Sequence, residues 1–333
     1  MSLRGSYLTA TRLTTTLAAL VAVAAASVVV VALVGPVPVS VWRAFTDTGW
    51  MPDAVILFRI RLPRVLLGAV VGGSLGASGA ALQALLQNPL ACPHVLGISG
   101  GAAVVGVAAL VAGLDPVSPL VPLAAFGGAL GAIALVVGAA RSRGRTTPYA
   151  VLLVGVVFNA LAAAILMLVN ALASYTQAQG VLFWIMGSLS APSWLLIGVA
   201  AVYSVAGLAW LCWHAQDLNL LAAGDESAMQ LGVDVERTRL AVFVAASLLV
   251  GASVSVSGMI AFVGLIVPHV LRLLFGPDQR LLLPASFLGG AIFLVWADAL
   301  ARTVLGPAEL PVGVVTALTG GPFFIFLLRR SLA

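Results

Sequence analysis

Five kinds of residue in this chain have the chemistry to act. Gly97-Ile98-Ser99-Gly100-Gly101 satisfies both the GxSG and GxSxG spacings that present a nucleophilic serine. His94, His214 and His269 are its histidines. Asp298 stands inside a long apolar run with Arg302 four residues on, and Asn159 and Asn170 stand inside another. The stretch RIRLPR places Arg59, Arg61 and Arg64 at the mouth of a third run.

Each pattern has a chemical requirement. A GxSxG elbow needs a strand-to-helix turn, and no sheet is plausible in so apolar a chain. As an intramembrane protease, Ser99 would need a histidine facing it from another helix; His269 is available, but spacing fixes no such geometry. An acid within a span is a candidate proton carrier in an ion-coupled transporter. The plainer reading makes Asp298 a partner for Arg302, since residues four apart share a helix face, or a cap on a neighbouring helix. The asparagines would line a pore or bond between helices. No metal-ligand spacing occurs. Cys92 and Cys212 are too few for a disulfide framework.

The elements that carry these residues follow from composition. Of 333 residues, 62% are hydrophobic and 8% charged, with a mean hydropathy of +1.15, which marks a polytopic membrane protein. A span takes about 20 apolar residues, so ten spans would use roughly 200 and leave little for extramembrane domains. Cutting at charges, prolines and turn residues predicts ten helices, near 13–34, 63–86, 95–113, 118–140, 149–172, 190–213, 239–257, 259–275, 281–303 and 311–328. The break between the seventh and eighth, in SVSVSGMIAF, is weak. The first run is longer than a signal-peptide core and lacks a clear cleavage site, so it is expected to be retained. Gly68, Gly72, Gly76 and Ala80 put small residues on one face of the second span, as close helix packing requires.

All sixteen basic residues are arginine. Without lysine, the GxxxxGK[ST] phosphate loop is excluded, so any ATP chemistry must come from a partner. Sixteen arginines and eleven acids, spread between apolar runs, make no stripe for nucleic acid. They orient the chain instead, because basic loops stay in the cytoplasm. With the N-terminus inside, Arg4, Arg12, Arg141, Arg143, Arg145, Arg237, Arg239, Arg272, Arg280, Arg329 and Arg330 fall on the cytoplasmic side. Arg43, Arg59, Arg61, Arg64 and Arg302 fall outside, and four of these five flank one span entrance.

Read together, the motifs resemble the FecCD family, the permease subunits of bacterial ATP-driven importers for iron-siderophores, haem and cobalamin. The similarity rests on RLPRVLLGAVVGGSLGASGAALQALLQNPLACPHVLGISGGAA at 61–103, LNLLAAGDESAMQLGVDVERTR at 218–239, SGMIAFVGLIVPHVLRLLFGPDQRLLLPAS at 257–286 and ADALARTVLGPAELPVGVVTALTGGPFFIFLLRR at 297–330. It implies an all-α, ten-helix type II ABC importer permease forming a single transmembrane domain over 1–333. It implies a bacterial inner-membrane location with both termini cytoplasmic, surrounded by membrane lipid. The expected partners are a second copy of the chain, two cytoplasmic ATPase subunits that bind ATP and Mg, and a periplasmic substrate-binding protein. No cofactor and no catalysis are expected of this chain itself.

The resemblance also implies roles. Arg61 and Arg64 of RLPR, with Arg302, are the arginines that receive acidic residues of the binding protein; guanidinium offers a permanently charged planar fork to carboxylates. The alternative is that they snorkel to lipid headgroups. Arg59 has no family counterpart. Asn88 and Leu90 of QNPLACP belong to a cytoplasmic gate, with Thr147 and Pro148 as approximate matches for its second element. Segment 217–239 is the coupling segment, and Gly224, Asp225, Glu226, Ser227, Ala228, Leu231 and Gly232 form its contact with the ATPase. A short helix between glycine turns is expected there. His269 belongs to the family block whatever the substrate. An iron chelate, siderophore-bound or haem, is expected as cargo on family breadth, with cobalamin as the alternative.

Overall fold

The computed structural model describes residues 8–46, 52–115, 118, 120–142, 145–190, 193–305 and 308–332. Arg4 and Arg143, counted above as cytoplasmic, lie outside these residues. The regular structure of the described residues is helical but for a two-residue antiparallel pairing, Arg141–Ser142 with Arg145–Thr146.

All ten expected helices form: α1 (Ala10–Leu33), α4 (Leu62–Leu85), α5 (Ile98–Val111), α6 (Leu120–Ala140), α7 (Pro148–Leu172), α9 (Trp194–Trp213), α12 (Val235–Ser257), α13 (Val263–Phe275), α14 (Gln279–Thr303) and α15 (Val312–Leu332). Between them lie the short helices α2 (Val41–Thr46), α3 (Pro52–Ala54), α8 (Tyr175–Met186), α10 (Ala215–Leu221) and α11 (Asp225–Gln230). Local chemistry sets the starts. Thr147 accepts from the Ala150 N–H and precedes Pro148, Ser193 accepts from Leu196, and Asp234 accepts from Arg237. Of these, α8 was unforeseen: it is too short to span, yet Ser174 and Gln177 close a capping box at its start. Its Gln177 amide also donates to the Val111 carbonyl at the end of α5, at 3.2 Å.

Helix α4 is the axis, buried along most of its length against α14, α12, α13 and α9. Glycine makes that possible. A Cβ on Gly72 or Gly76 would strike the Gly290 or Ser286 carbonyl of α14, and one on Gly79 would strike Gly264 of α13. The weak break before α13 is sharp in the structure. Gly258 and Phe262 both adopt φ +68°, a conformation rare for a bulky residue. The Phe262 ring lies where a Cβ on Gly320 of α15 would be.

Candidate functional site

The functional candidates gather at the two ends of the bundle. At one end, the chain enters α4 through a π-helical turn, Val55–Arg61, in which the Leu62 N–H reaches back to the Leu57 carbonyl. Pro63, one residue on, has no N–H to give, and the wider turn accommodates that loss. The turn divides the arginines. Arg59 faces out, whereas Arg61 and Arg64 are 4% and 7% exposed.

Arg61 and Arg302 hold the end of α1. Arg61 donates to the Leu33 carbonyl at 2.9 Å and to Val37, while Arg302 donates to Val31 and Val34 at 3.4 Å each. A helix leaves its last carbonyls unpaired and its C-terminus partly negative, so two guanidiniums there satisfy both hydrogen bonding and charge. Gly35 leaves room for the first: its Cβ would lie 2.6 Å from the Arg61 Cζ.

Asp298, 1% exposed, ties the other two helices. Its carboxylate takes the Arg64 Nε at 3.0 Å and Nη2 at 2.9 Å, and the Arg302 Nε at 3.0 Å. Asp298 is therefore paired through both oxygens, as the four-residue spacing to Arg302 allowed. The remaining Arg64 Nη1 meets Glu309 at 2.6 Å, whose side chain is 44% exposed. The sequence reading passed over Glu309. Its only signal was to be an acid just beyond the helix that carries Asp298 and Arg302.

At the opposite end, a cavity of about 420 Å³ brings together Gln87, Pro148 and residues 223–227. The loop after α4, the start of α7 and the coupling segment thus share one cleft. Asn88 accepts from the Leu90 N–H at 2.8 Å, and Leu90 is 40% exposed. Thr147 caps α7 beside the cleft. Gln87, at φ +48°, donates to the Leu221 carbonyl of α10 at 2.8 Å and so fastens that loop to the coupling segment.

Helix α11 sits between Gly224 at φ +118° and Gly232 at φ +87°, the expected short helix between glycine turns. Asp225 and Glu226 occupy its first turn and Ala228 is fully buried beneath it. Asp225 also meets Arg239 of α12 at 2.6 Å. Leu231, expected in this contact, points outward, 67% exposed, beside Met229 at 53%, an exposed apolar residue that the sequence did not single out. The segment has a second anchor: Asn219 of α10 donates to Asp278, the N-cap of α14, at 3.0 Å and accepts from the Gln279 N–H at 2.8 Å. Arg280, hydrogen-bonded to Asp278, holds that carboxyl below its usual range against partial burial, and Asn219 adds to the effect.

The remaining candidates are dispersed. Ser99 is in the first turn of α5, which packs on α6, α7 and α12; His269 is in α13, which packs on α4 and α14. The Asn159 amide donates to the His94 carbonyl, a bond between α7 and the loop before α5. Among the described residues no group of His, Cys, Asp and Glu could hold a metal ion.

Known proteins resemble this chain in sequence and in fold. The family model for the FecCD transport family matches residues 19–330. The cobalamin import system permease of Halobacterium salinarum is 46% identical over 277 residues, 83% of this chain and 73% of that protein. The hemin transport system permease of Yersinia pestis is 41% identical over 304 residues, 88% of this chain and 87% of that protein. Among solved structures, a metal-chelate type ABC transporter in an inward-facing conformation superposes with a TM-score of 0.83 at 30% identity, covering 95% of this chain and 99% of that one.

Proposed function

Because this chain belongs to the FecCD transport family and is the membrane permease of an ABC importer, we propose that its cargo is a bulky metal chelate carried from periplasm to cytoplasm. The observation that carries this reading is the match of the whole helical bundle, both ends included, to permeases named for such cargo. The chain itself is not catalytic; the energy comes from a partner ATPase. An iron chelate, siderophore-bound or haem, is the first reading, supported by the hemin relative. Cobalamin is the second, supported by the 46% and 44% identical cobalamin permeases of Halobacterium salinarum and Vibrio vulnificus.

On this reading the arginine end faces the periplasm and the cleft end the cytoplasm of a bacterial inner membrane, which agrees with arginine placement. Two copies of this single-domain chain enclose the pathway. Arg61, Arg64 and Arg302 receive the acidic lobes of the loaded binding protein. ATP closure moves two ATPases against Gly224, Asp225, Glu226, Ser227, Ala228, Leu231 and Gly232. Because that segment shares a cleft with Gln87 and Pro148, its displacement reaches the gate residues Asn88, Leu90, Thr147 and Pro148 directly. A proton-coupled alternative would rest on Asp298 as the carrier, and that carboxylate is already engaged by Arg64 and Arg302 as a tie between helices.

Uptake decides the cargo. With its ATPase and binding protein, the permease is expressed in cells lacking their own systems, and labelled haemin, a ferric siderophore and cyanocobalamin are supplied in turn. Entry of either iron compound supports the first reading, whereas entry of cobalamin alone replaces it with the second.

A further inference from the structure

The guanidinium of Arg64 has two edges that can take a carboxylate, one side-on and one end-on, and each meets an acid. Asp298 holds the Nε–Nη2 edge, with contacts of 3.0 and 2.9 Å. That acid is 1% exposed and shared with Arg302, so it is part of the structure that joins α4 to α14. The other edge, through Nη1, is closed by Glu309 at 2.6 Å. The two acids differ in kind. The Glu309 side chain is 44% exposed and lies in the return loop after α14, where the neighbouring Leu310 N–H is anchored on the Ala301 carbonyl at 3.0 Å. Rotation of the Glu309 side chain would release Nη1 without moving the backbone or disturbing Asp298.

We propose that Glu309 is a built-in stand-in for the binding protein's carboxylate, holding the outward edge of Arg64 until docking displaces it. The inference rests on the docking reading given above. Charge supports the exchange. Among the described residues, Arg61, Arg64 and Arg302 are opposed by Asp298 and Glu309 alone, so departure of Glu309 leaves two positive charges without a described counter-charge. Those charges attract an incoming acid. An acid that must first be displaced lowers apparent affinity in proportion to the time it is in place. The contact therefore screens out anions that offer less than a well-placed carboxylate.

The test uses the permease–ATPase complex in lipid nanodiscs and its cognate periplasmic binding protein, compared as wild type, Glu309→Gln and Asp115→Asn. Asp115, beyond the end of α5, removes one charge from the same end of the bundle without touching Arg64. Glu309→Gln is expected to tighten binding about five-fold, the scale of one exposed ion pair, and Asp115→Asn to leave it near wild type. Unchanged or weaker binding by Glu309→Gln, or an equal gain from Asp115→Asn, would overturn the proposal. The docking reading fails separately, if wild-type affinity is the same at low and high salt. A second readout needs no partner. In the purified permease, an arginine-selective dicarbonyl such as phenylglyoxal should label Arg64 several-fold faster in Glu309→Gln than in wild type by peptide mapping, and equal rates would show that Glu309 does not mask it.

Discussion

The two ends of this bundle solve opposite problems. At the arginine end, three guanidiniums and Asp298 are buried, and each of those guanidiniums has partners: Asp298, the last carbonyls of α1 and, at the rim, the half-exposed Glu309. At the cleft end, Arg239 is the buried charge, and its acids Asp225 and Glu236 are 36% and 45% exposed around an open cavity. A buried network is rigid because breaking any part of it strands a charge in a poorly solvated place, whereas exposed pairs exchange with water at little cost. One end is built to hold three helices in register, the other to yield when pushed.

Breaking equivalent acids tests that contrast most strongly. Asp298→Ala leaves Arg64 and Arg302 buried without their shared partner and should cost about 3–5 kcal/mol, read as a large drop in the thermal midpoint of the purified permease. Asp225→Ala removes a half-exposed acid while Glu236 still serves Arg239, and should cost about 1 kcal/mol or less. Similar losses for the two would erase the distinction between the ends.

The helices between the ends must be stiff for the contrast to matter. Gly79→Ala places a Cβ against the Gly264 backbone, so α4 and α13 must separate; about 1–3 kcal/mol is expected from such overpacking. Gly224→Ala meets no neighbour within 4 Å. Its cost is purely conformational, about 1–3 kcal/mol at a φ of this kind, and should appear as weakened ATPase binding with little loss of bundle stability.

The smallest effect concerns pH. The Asp278 carboxyl is held below its ordinary value, chiefly by Arg280. A lowered folded-state value means that the stabilisation is complete above the unfolded value of about 4 and is lost as pH falls through the folded one. Hydrogen exchange at Leu281 and Leu282, whose N–H groups bond the Asp278 carbonyl, should accelerate below about pH 4 after correction for intrinsic rates. No change would mean that the clamp between α10 and α14 stands without that charge.

Much of the fold was legible because bilayer spans are written as long apolar runs, and polar breaks mark where they stop. Even SVSVSGMIAF proved a true boundary, set by Gly258 and Phe262 in left-handed conformations. What escaped was short. Helix α8 carries a capping box but no run of spanning length, and α2 and α3 are too brief for any periodicity to show. The coupling helix was foreseen because its glycines bracket it, while Met229 beside it looked like any apolar residue.

The sequence by itself determined a helical membrane bundle, its ten principal helices, the absence of a phosphate-binding lysine and the family motifs, since each is a property of local composition or spacing. Tertiary structure alone decided what the charges do. Arg64 and Asp298 are 234 positions apart, and no local pattern says that they meet or that Glu309 closes the last open edge; only the Asp298–Arg302 pair was offered by its four-residue spacing. Burial and pairing belong to the assembled helices, and they make an arginine either a structural tie or a surface for a partner.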